Sequence, residues 1–457
     1  MNDVLGVLPV TILVFGAAIV VAFDRLFRAD ERAAAWLASA IALGAGAAAA
    51  FVGTGDDALG GLVRRDGASV FFTSLLGMSA AAAFAVHAGT APTFAVGARL
   101  GQLLAATAGA VLLIDAGNLL LMFFALEIVF VSVFAVISAH PVQTARAASR
   151  SWLLLGGSAS ALFAAGVGLG WYEGGSFSIG ALASATSPAG QAGTALVLVG
   201  LACFAGLAPF HLWFLPALEA TSVPTAIVIA VVPRIGGFAA LLRCASAISA
   251  TSGSAIDWRA CVAILAAASL AVGSIGALSQ TSLRRIVAYL AIAFGGQVAV
   301  AAAAGAGEGA AIGLALLAYA VAVVGLFGVI AMVTTNDAQL ADLRGLARRR
   351  PLLVAAGVVL AIGMAGLPPT IAFFARLAVF EGAVGSQLAW LVILAAIATV
   401  LTATSGFRIV LACFEAGDAR LSSGRIATGV IALAALIALA GGIAPDPWLQ
   451  LAQGVRF

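Results

Sequence analysis

The chain has 457 residues, of which 63% are hydrophobic and only 9% are charged, and its formal net charge is +3. A soluble domain carries about 25% charged residues, so this composition excludes a soluble globular protein and indicates a polytopic membrane protein. It also excludes a nucleic-acid-binding face, because no basic cluster is larger than the three arginines at 348–350.

Fourteen apolar runs follow one another, each long enough to cross a bilayer at about 20 residues per span. They cover residues 4–23, 33–52, 68–86, 98–114, 118–138, 151–172, 193–216, 222–242, 259–278, 286–305, 310–333, 351–384, 387–413 and 425–444. No small-residue cleavage site follows the first run, so we expect it to remain as a membrane helix. The sequence therefore predicts an all-α membrane protein of about 14 transmembrane helices.

The arginines predict the orientation of these spans. They concentrate in the loops after odd-numbered spans, among them Arg146, Arg284, Arg285 and the run 348–350. The positive-inside rule places such loops in the cytoplasm, so both termini are expected on the opposite side of a bacterial inner membrane.

All of the basic residues are arginine, and the chain has no lysine. Codon bias and a functional preference both explain this usage. Arginine effectively never deprotonates in proteins, so a basic group that releases a proton here has to be a histidine. The four cysteines are scattered and form no C-x-x-C pair, which argues against a metal site.

Two spans contain proline breaks with similar sequences, Gly206-Leu-Ala-Pro209 and Gly366-Leu-Pro368-Pro369. Proline removes a backbone hydrogen bond and frees carbonyls inside the membrane. The breaks are 160 residues apart, about five spans, so the second copy is upside down relative to the first. Paired broken helices of this kind predict two inverted five-helix repeats with a site at the breaks.

This pattern divides the chain into four predicted parts. Residues 1–97 supply three N-terminal helices, 98–246 the first repeat, 247–415 the second repeat, and 416–457 the last helix and a tail.

Charged residues interrupt three of the apolar runs at Glu127, Arg234 and Arg376. Such a residue costs several kcal/mol at the bilayer centre, so each is a candidate functional residue. His211 follows the first break and is the only side chain within a span that normally titrates near neutrality. The alternative roles are structural: Glu127 could bond a serine or a carbonyl, the arginines could bond the carbonyls freed by the breaks, and His211 could satisfy a core hydrogen bond.

Three further residues are auxiliary candidates. Arg150 or Arg234 could reach Glu127 if the helices pack favourably. Tyr289 lies near a helix start, where a tyrosine is often an interfacial anchor. Arg408 lies near the end of its span, where its long side chain could instead extend to the membrane surface.

Several stretches resemble the antiporter-like membrane subunits of NADH-quinone oxidoreductase, respiratory complex I. Residues 118–127 resemble the fifth helix of those subunits, and the broken seventh helix, the eighth helix and the polar turn before the tenth follow in the same order. The stretches that carry this likeness are 118–127, 204–213, 233–243, 280–289, 343–348 and 365–376. The likeness covers most of residues 98–415, and it is strongest to the type of subunit with a basic residue at position 376 and a short tail.

The resemblance implies a function and partners. This chain would provide a proton route through Glu127, His211, Arg234 and Arg376, beside other membrane-arm subunits and lipid. NADH, FMN, iron–sulfur clusters and quinone would bind to partner subunits, and this chain itself would hold no cofactor and no metal.

The chain also departs from the family at polar positions. Ser151 and Phe204 occupy positions where the family has lysines, Arg234 and Arg376 replace two more lysines, and Phe294 replaces a histidine. Two alternatives therefore stay open: a subunit of a multi-subunit cation/proton antiporter or inorganic-carbon uptake complex, and a structural membrane-arm subunit with reduced pumping.

Overall fold

The computed structural model describes residues 2–27, 30–89, 96–182, 187–249, 257–333, 338–419, 421–422 and 424–456. These residues form α-helices joined by turns and short 3-10 segments, without a strand. In chain order the helices are α1 (Asn2–Gly6), α2 (Leu8–Phe27), α3 (Glu31–Val52), α4 (Gly67–Ala88), α5 (Val96–Asp115), α6 (Leu119–Ser138), α7 (Gln143–Gly174), α8 (Pro188–Phe204), α9 (Phe214–Ala220), α10 (Val223–Ser249), α11 (Trp258–Ser279), α12 (Leu283–Ala304), α13 (Gly309–Met332), α14 (Leu346–Arg349), α15 (Pro351–Met364), α16 (Ile371–Gly385), α17 (Ala389–Phe414), α18 (Arg425–Ile443) and α19 (Asp446–Gln453).

The predicted number of crossings is confirmed in the described part of the chain. Twelve helices are long and apolar enough to span a membrane. Two further crossings are each built from a pair of shorter helices, α8 with α9 and α15 with α16, so 12 and 2 give the expected 14. The largest difference in a helix boundary is at α7, which begins at Gln143 rather than near 151. Residues 143–150 are polar but helix-compatible, and hydropathy does not detect them.

The two breaks have the same backbone geometry. Upstream helices end at Phe204 and Met364, and the glycines two residues later, Gly206 and Gly366, have φ angles of 68° and 67°. In both, the glycine N–H bonds the carbonyl three residues earlier and the next N–H bonds the carbonyl five residues earlier, at 2.9 to 3.1 Å. Glycine adopts this left-handed conformation without a steric penalty. The fold thus contains the two broken helices that the sequence predicts, with the same local geometry in each.

The central helices are α10, α12 and α13, whose apolar windows are almost completely buried, whereas α2, α17 and α18 face outward. Small residues allow these helices to approach closely. A methyl group at Gly237 of α10 would come within 2.6 Å of the Ala205 nitrogen, so glycine lets α10 pack directly on the first break. This contact places Arg234, one turn earlier on α10, beside the broken helix.

Arginines from neighbouring segments bind the carbonyls at several helix ends. Arg65 donates to Val52 and Gly53 at the end of α3, and Arg284 donates to Leu218 and Thr221 at the end of α9. Arg259 does the same at the end of α12. Cations favour this position because the C-terminal carbonyls carry the negative end of the helix dipole.

One such arginine also anchors α4 through a carboxylate. Arg243 of α10 donates to both oxygens of Asp66, at 2.6 and 3.1 Å, and to the Ile114 carbonyl at 3.0 Å. Burial alone would raise the pKa of Asp66, but the hydrogen bonds and charge of Arg243 outweigh it and hold that pKa below its ordinary value. Asp66 in turn caps α4 by accepting from the Ser69 N–H.

Arg243→Leu is expected to destabilise the fold by about 3 kcal/mol, because it leaves a largely buried carboxylate and a carbonyl without their donor. The measurement is the temperature at which the purified protein loses its folded signal. Arg285→Leu is the control, since Arg285 pairs with Glu219 at the exposed surface and should change stability by less than about 1 kcal/mol. Equal effects of the two substitutions would contradict the structural role of Arg243.

Candidate functional site

Glu127 lies on α6, which begins where the Asn118 side chain accepts a hydrogen bond from the Leu121 N–H. It is half-buried, and the Ser160 hydroxyl of α7 donates a hydrogen bond to its Oε1. Within the described ranges it forms no ion pair. Arg150 is exposed and lies ten residues before Ser160 on α7, roughly 15 Å along the helix axis. The helix packing therefore does not bring Arg150 to Glu127, and the side chain bonded to Glu127 is a serine, as the structural alternative describes.

Arg234 is fully buried against the first break. Its guanidinium lies 5.0 Å from the Phe214 ring centre and 5.3 Å from that of Tyr319. It donates to the Gly206 carbonyl and to the Tyr319 hydroxyl, both at 3.4 Å. Tyr319 donates onward to the Ala230 carbonyl at 2.7 Å. Aromatic faces and a freed carbonyl, rather than a carboxylate, thus surround this cation.

Arg376 occupies the equivalent place at the second break, on α16. It is 6% exposed and donates to Gln297 of α12 at 2.8 Å, to Thr399 of α17 at 2.7 Å, and to the Ala365 carbonyl at 2.5 Å. Each break thus has a buried arginine bonded to one of its carbonyls. These contacts are the ones expected if both arginines have a structural role and bind the carbonyls freed by the breaks. The same contacts also fix two permanent charges inside the membrane domain.

His211 lies in the short 3-10 segment Phe210–Trp213 that follows Pro209. It is 8% exposed, and its Nδ1 has no hydrogen-bond partner among the described residues. Arg234 is close enough to act on it electrostatically. The Nδ1 atom therefore makes no core hydrogen bond with the described residues, although the Pro209 backbone lies close enough to interact with the ring.

A chain of aromatic contacts links the helix turn after Glu127 to the first break. Phe130, one turn after Glu127, stacks on Trp152 at 6.0 Å, and Trp152 meets Phe204 at 5.9 Å and Trp213 at 4.5 Å. Both indole N–H groups are satisfied, by the Phe130 and Cys203 carbonyls. We call Phe130, Trp152, Phe204 and Trp213 the aromatic cluster. Phe294 likewise packs an apolar ring on Tyr319, at 5.7 Å.

The auxiliary candidates lie away from these groups. The Tyr289 ring packs on α11, where a methyl group at Gly276 would come within 2.4 Å of it. Arg408 donates to the Leu278 carbonyl at 2.5 Å and to the Gln280 carbonyl at 2.9 Å, at the end of α11. Arg408 therefore binds the carbonyls at a helix end.

Sequence reasoning missed Ser160, Tyr319, Gln297 and Thr399, which are the direct partners of the three charged residues. The available signal was weak: Gln297 and Tyr319 are isolated polar residues in otherwise apolar runs.

A histidine outside the spans predicts a pH effect. His140 follows α6, its Nδ1 lies 2.8 Å from the Val136 carbonyl, and its Nε2 accepts from the Ser222 N–H at 3.1 Å. Burial, aided by the charges of Arg99 and Arg284, lowers its pKa below the ordinary value. The folded chain therefore binds this proton less readily than the unfolded chain. The stabilising contact is complete above about pH 6.5 and is lost as the pH falls below it.

We expect the melting temperature of wild-type protein to fall between about pH 7.5 and about pH 5.5, and His140→Gln to reduce that fall. Hydrogen exchange of the Ser222 amide, measured at both pH values, reports the same contact directly. A pH dependence that the substitution leaves unchanged would show that other groups cause it.

Comparisons with known proteins agree with this architecture. Residues 116–402 match the family described as NADH:quinone oxidoreductase/Mrp antiporter, TM. NADH-quinone oxidoreductase subunit N 2 of Roseiflexus castenholzii is 32% identical over 374 residues, which cover 77% of this chain and 75% of the relative. Subunit N 2 of Acidobacterium capsulatum is 32% identical over 78% of this chain and 77% of its own. The predicted likeness to one subunit type, subunit N, is confirmed.

Solved structures give the same result. A chain of respiratory complex I from Thermus thermophilus, with bound Aureothin, superposes with a TM-score of 0.86 and 27% identity, covering 98% of this chain and 100% of its own. A chain of the Mrp complex from Dietzia sp. DQ12-45-1b, at 21% identity, has a TM-score of 0.84 over 99% and 96% of the two chains and shares the fold. This chain therefore belongs to the NADH:quinone oxidoreductase/Mrp antiporter family of membrane proteins.

Proposed function

We propose that this chain is a membrane-arm subunit of a proton-translocating NADH-quinone oxidoreductase in a bacterial inner membrane. Electron transfer from NADH to quinone takes place in partner subunits, which hold FMN and the iron–sulfur clusters. The subunit N relatives, similar over three quarters of both chains, support this assignment. The observation that carries the proton role is the set of charges kept inside the spans, with Arg234 and Arg376 at the two breaks and Glu127 between apolar turns.

In the proposed mechanism Glu127 takes up and releases the proton. The Ser160 hydroxyl donates to the carboxylate, and after a rotation it can accept from the protonated acid. Because no fixed cation of the described chain pairs with Glu127, its protonation responds to charges that approach its half-exposed side. The guanidinium groups of Arg234 and Arg376 remain charged, so they bias a proton nearby without carrying it. His211, with a free ring nitrogen, is the second proposed carrier.

The proposed arrangement in the membrane follows the arginine distribution. Both termini lie on the non-cytoplasmic side, and residues 98–246 and 247–415 form the two repeats between the N-terminal helices and the last helix. Attaching a membrane-impermeant label to a cysteine introduced at either terminus measures this orientation, and labelling from the cytoplasmic side would contradict it.

The test of the function is purification of the native complex through an affinity tag on this chain. We expect flavin and iron–sulfur proteins to copurify, together with NADH-driven reduction of quinone. Copurification of cation-transport subunits alone, without an NADH-oxidising activity, would replace the proposal by a cation/proton antiporter.

A second candidate, a structural subunit with reduced pumping, is supported by the aromatic cluster. Phe204 is 2% exposed and packs on Trp152, at the position where the family resemblance leads one to expect a lysine. The two candidates differ in what they require of Glu127, because only a pumping subunit needs its proton.

A further inference from the structure

A small cavity lies at the end of the membrane domain where α4 and α6 begin, away from Glu127 and from both breaks. It has a volume of about 20 Å³ and lies among the starts of α2 and α4 and the ends of α3 and α5. One water molecule needs about 10–15 Å³ by this measure, so the cavity accommodates a single water. Its polar lining comes from Arg64, Arg65, Ser69, Thr73 and Asp115.

Two buried oxygens of this lining lack protein partners. Asp115, the last residue of α5, is 4% exposed, and Thr73 of α4 is 2% exposed. Neither the Asp115 Oδ1 nor the Thr73 Oγ1 forms a hydrogen bond with any described residue. Buried polar atoms in native proteins are almost always satisfied by protein or by ordered water. Both side chains line the same cavity, so one water can serve both.

The nearby charges do not provide Asp115 with a cation of its own. Both terminal nitrogens of Arg243 bond Asp66, and its Nε bonds the Ile114 carbonyl. Across the cavity, Arg65 uses one terminal nitrogen to bind the carbonyls at the end of α3, and its buried Nε bonds neither Asp115 nor any other described residue. Arg64 pairs with the exposed Asp57 at 3.6 Å. The Ser69 hydroxyl, which accepts from Arg243 at 3.3 Å, lines the same cavity as Asp115. The charged groups that face Asp115 are thus Asp66, Arg243, Arg64 and Arg65, and the arginine nearest to it is already bonded to another carboxylate.

We propose that Asp115 is a buried proton-binding site that exchanges its proton through a water held between Asp115 and Thr73. Uptake forms the Oδ1–H bond as a hydronium or water in the cavity gives up a proton, and release breaks that bond and returns the proton to the water. The exposed Arg64 at the edge of the cavity marks the side from which solvent enters. The assignment of this side as non-cytoplasmic rests on the proposed function. The existence of the proton site does not depend on it.

Infrared spectroscopy of the intact purified complex tests the site. At neutral pH, Asp115→Asn should remove one carbonyl-stretch band of a protonated carboxylic acid that the wild type shows. Thr73→Val should shift that band, because it removes one partner of the water bonded to the acid. Asp57→Asn is the control, since this carboxylate is exposed at the same edge, and it should leave the band unchanged.

A band that persists in Asp115→Asn would overturn the proposal, because Asp115 would then be ionised or unrelated to the signal. If Asp115→Asn fails to assemble, Thr73→Val decides, and an unshifted set of acid bands counts against the site. The readout needs neither NADH oxidation nor pumping. A complex without oxidoreductase partners that still shows the Asp115 band would refute the proposed function and leave this site intact.

Discussion

Glu127→Gln is expected to lower the number of protons moved per electron, by the share that passes through this subunit, while assembly and NADH oxidation persist. Glutamine keeps the volume of the side chain and can still accept from the Ser160 hydroxyl, but it cannot bind and release a proton. The measurement is acidification per NADH oxidised by the complex in sealed liposomes, with quinone present.

Ser160→Ala is the matched control, since it removes the partner on α7 and keeps the carboxylate. We expect it to retain the wild-type ratio of protons to electrons and to change only the pH at which translocation is fastest. If Glu127→Gln keeps the wild-type ratio with normal turnover, the carboxylate is structural and the second candidate function is favoured.

Arg376→Leu is expected to lower the stability of the fold by about 3 kcal/mol. Without the guanidinium, the Ala365 carbonyl and the Gln297 side-chain oxygen are buried without a donor, and each such group costs about 1–3 kcal/mol. The bonds to α12 and α17 that hold the second break are lost as well. The amount of assembled complex and its melting temperature measure this loss.

Two variants separate charge from hydrogen bonding at this position. Arg376→Lys keeps a cation but lacks the planar fork that serves several acceptors, so its stability should lie between the wild type and the leucine variant. Arg408→Leu is the control, because Arg408 binds the end of α11 near the membrane edge, where water can replace it. A leucine variant as stable as the wild type would show that the second break does not depend on Arg376.

The sequence predicted features that depend on neighbouring residues, but not contacts between residues that are far apart along the chain. The two broken helices were predicted because glycine and proline act on their own backbone, and the crossings because hydropathy is a local property. The partners of the charged residues were not predicted, because they lie on helices that are distant in sequence. Gln297 is 79 residues from Arg376, and Tyr319 is 85 residues from Arg234. The partner of Glu127 stayed open for a similar reason, because a contact with Arg150 or Arg234 depended on how distant helices pack. The early start of α7 at Gln143 fixes its depth, and that depth places Ser160 beside the carboxylate.

Several helix ends are bound by arginine rather than by lysine or histidine. This choice matters in a protein that is exposed to unequal proton concentrations on its two sides. A lysine or histidine at these ends could lose its proton as one compartment becomes alkaline, and the helix would then lose a stabilising charge. A guanidinium keeps its charge at any pH a cell reaches, so these contacts persist when the gradient is built and when it collapses. The contacts that hold the helix ends therefore do not depend on the groups that titrate. A change in protonation alters the charge of carboxylates and histidines but does not weaken these helix contacts. The arginines concerned are Arg65, Arg259, Arg284 and Arg408 at helix ends, and Arg234 and Arg376 at the two breaks.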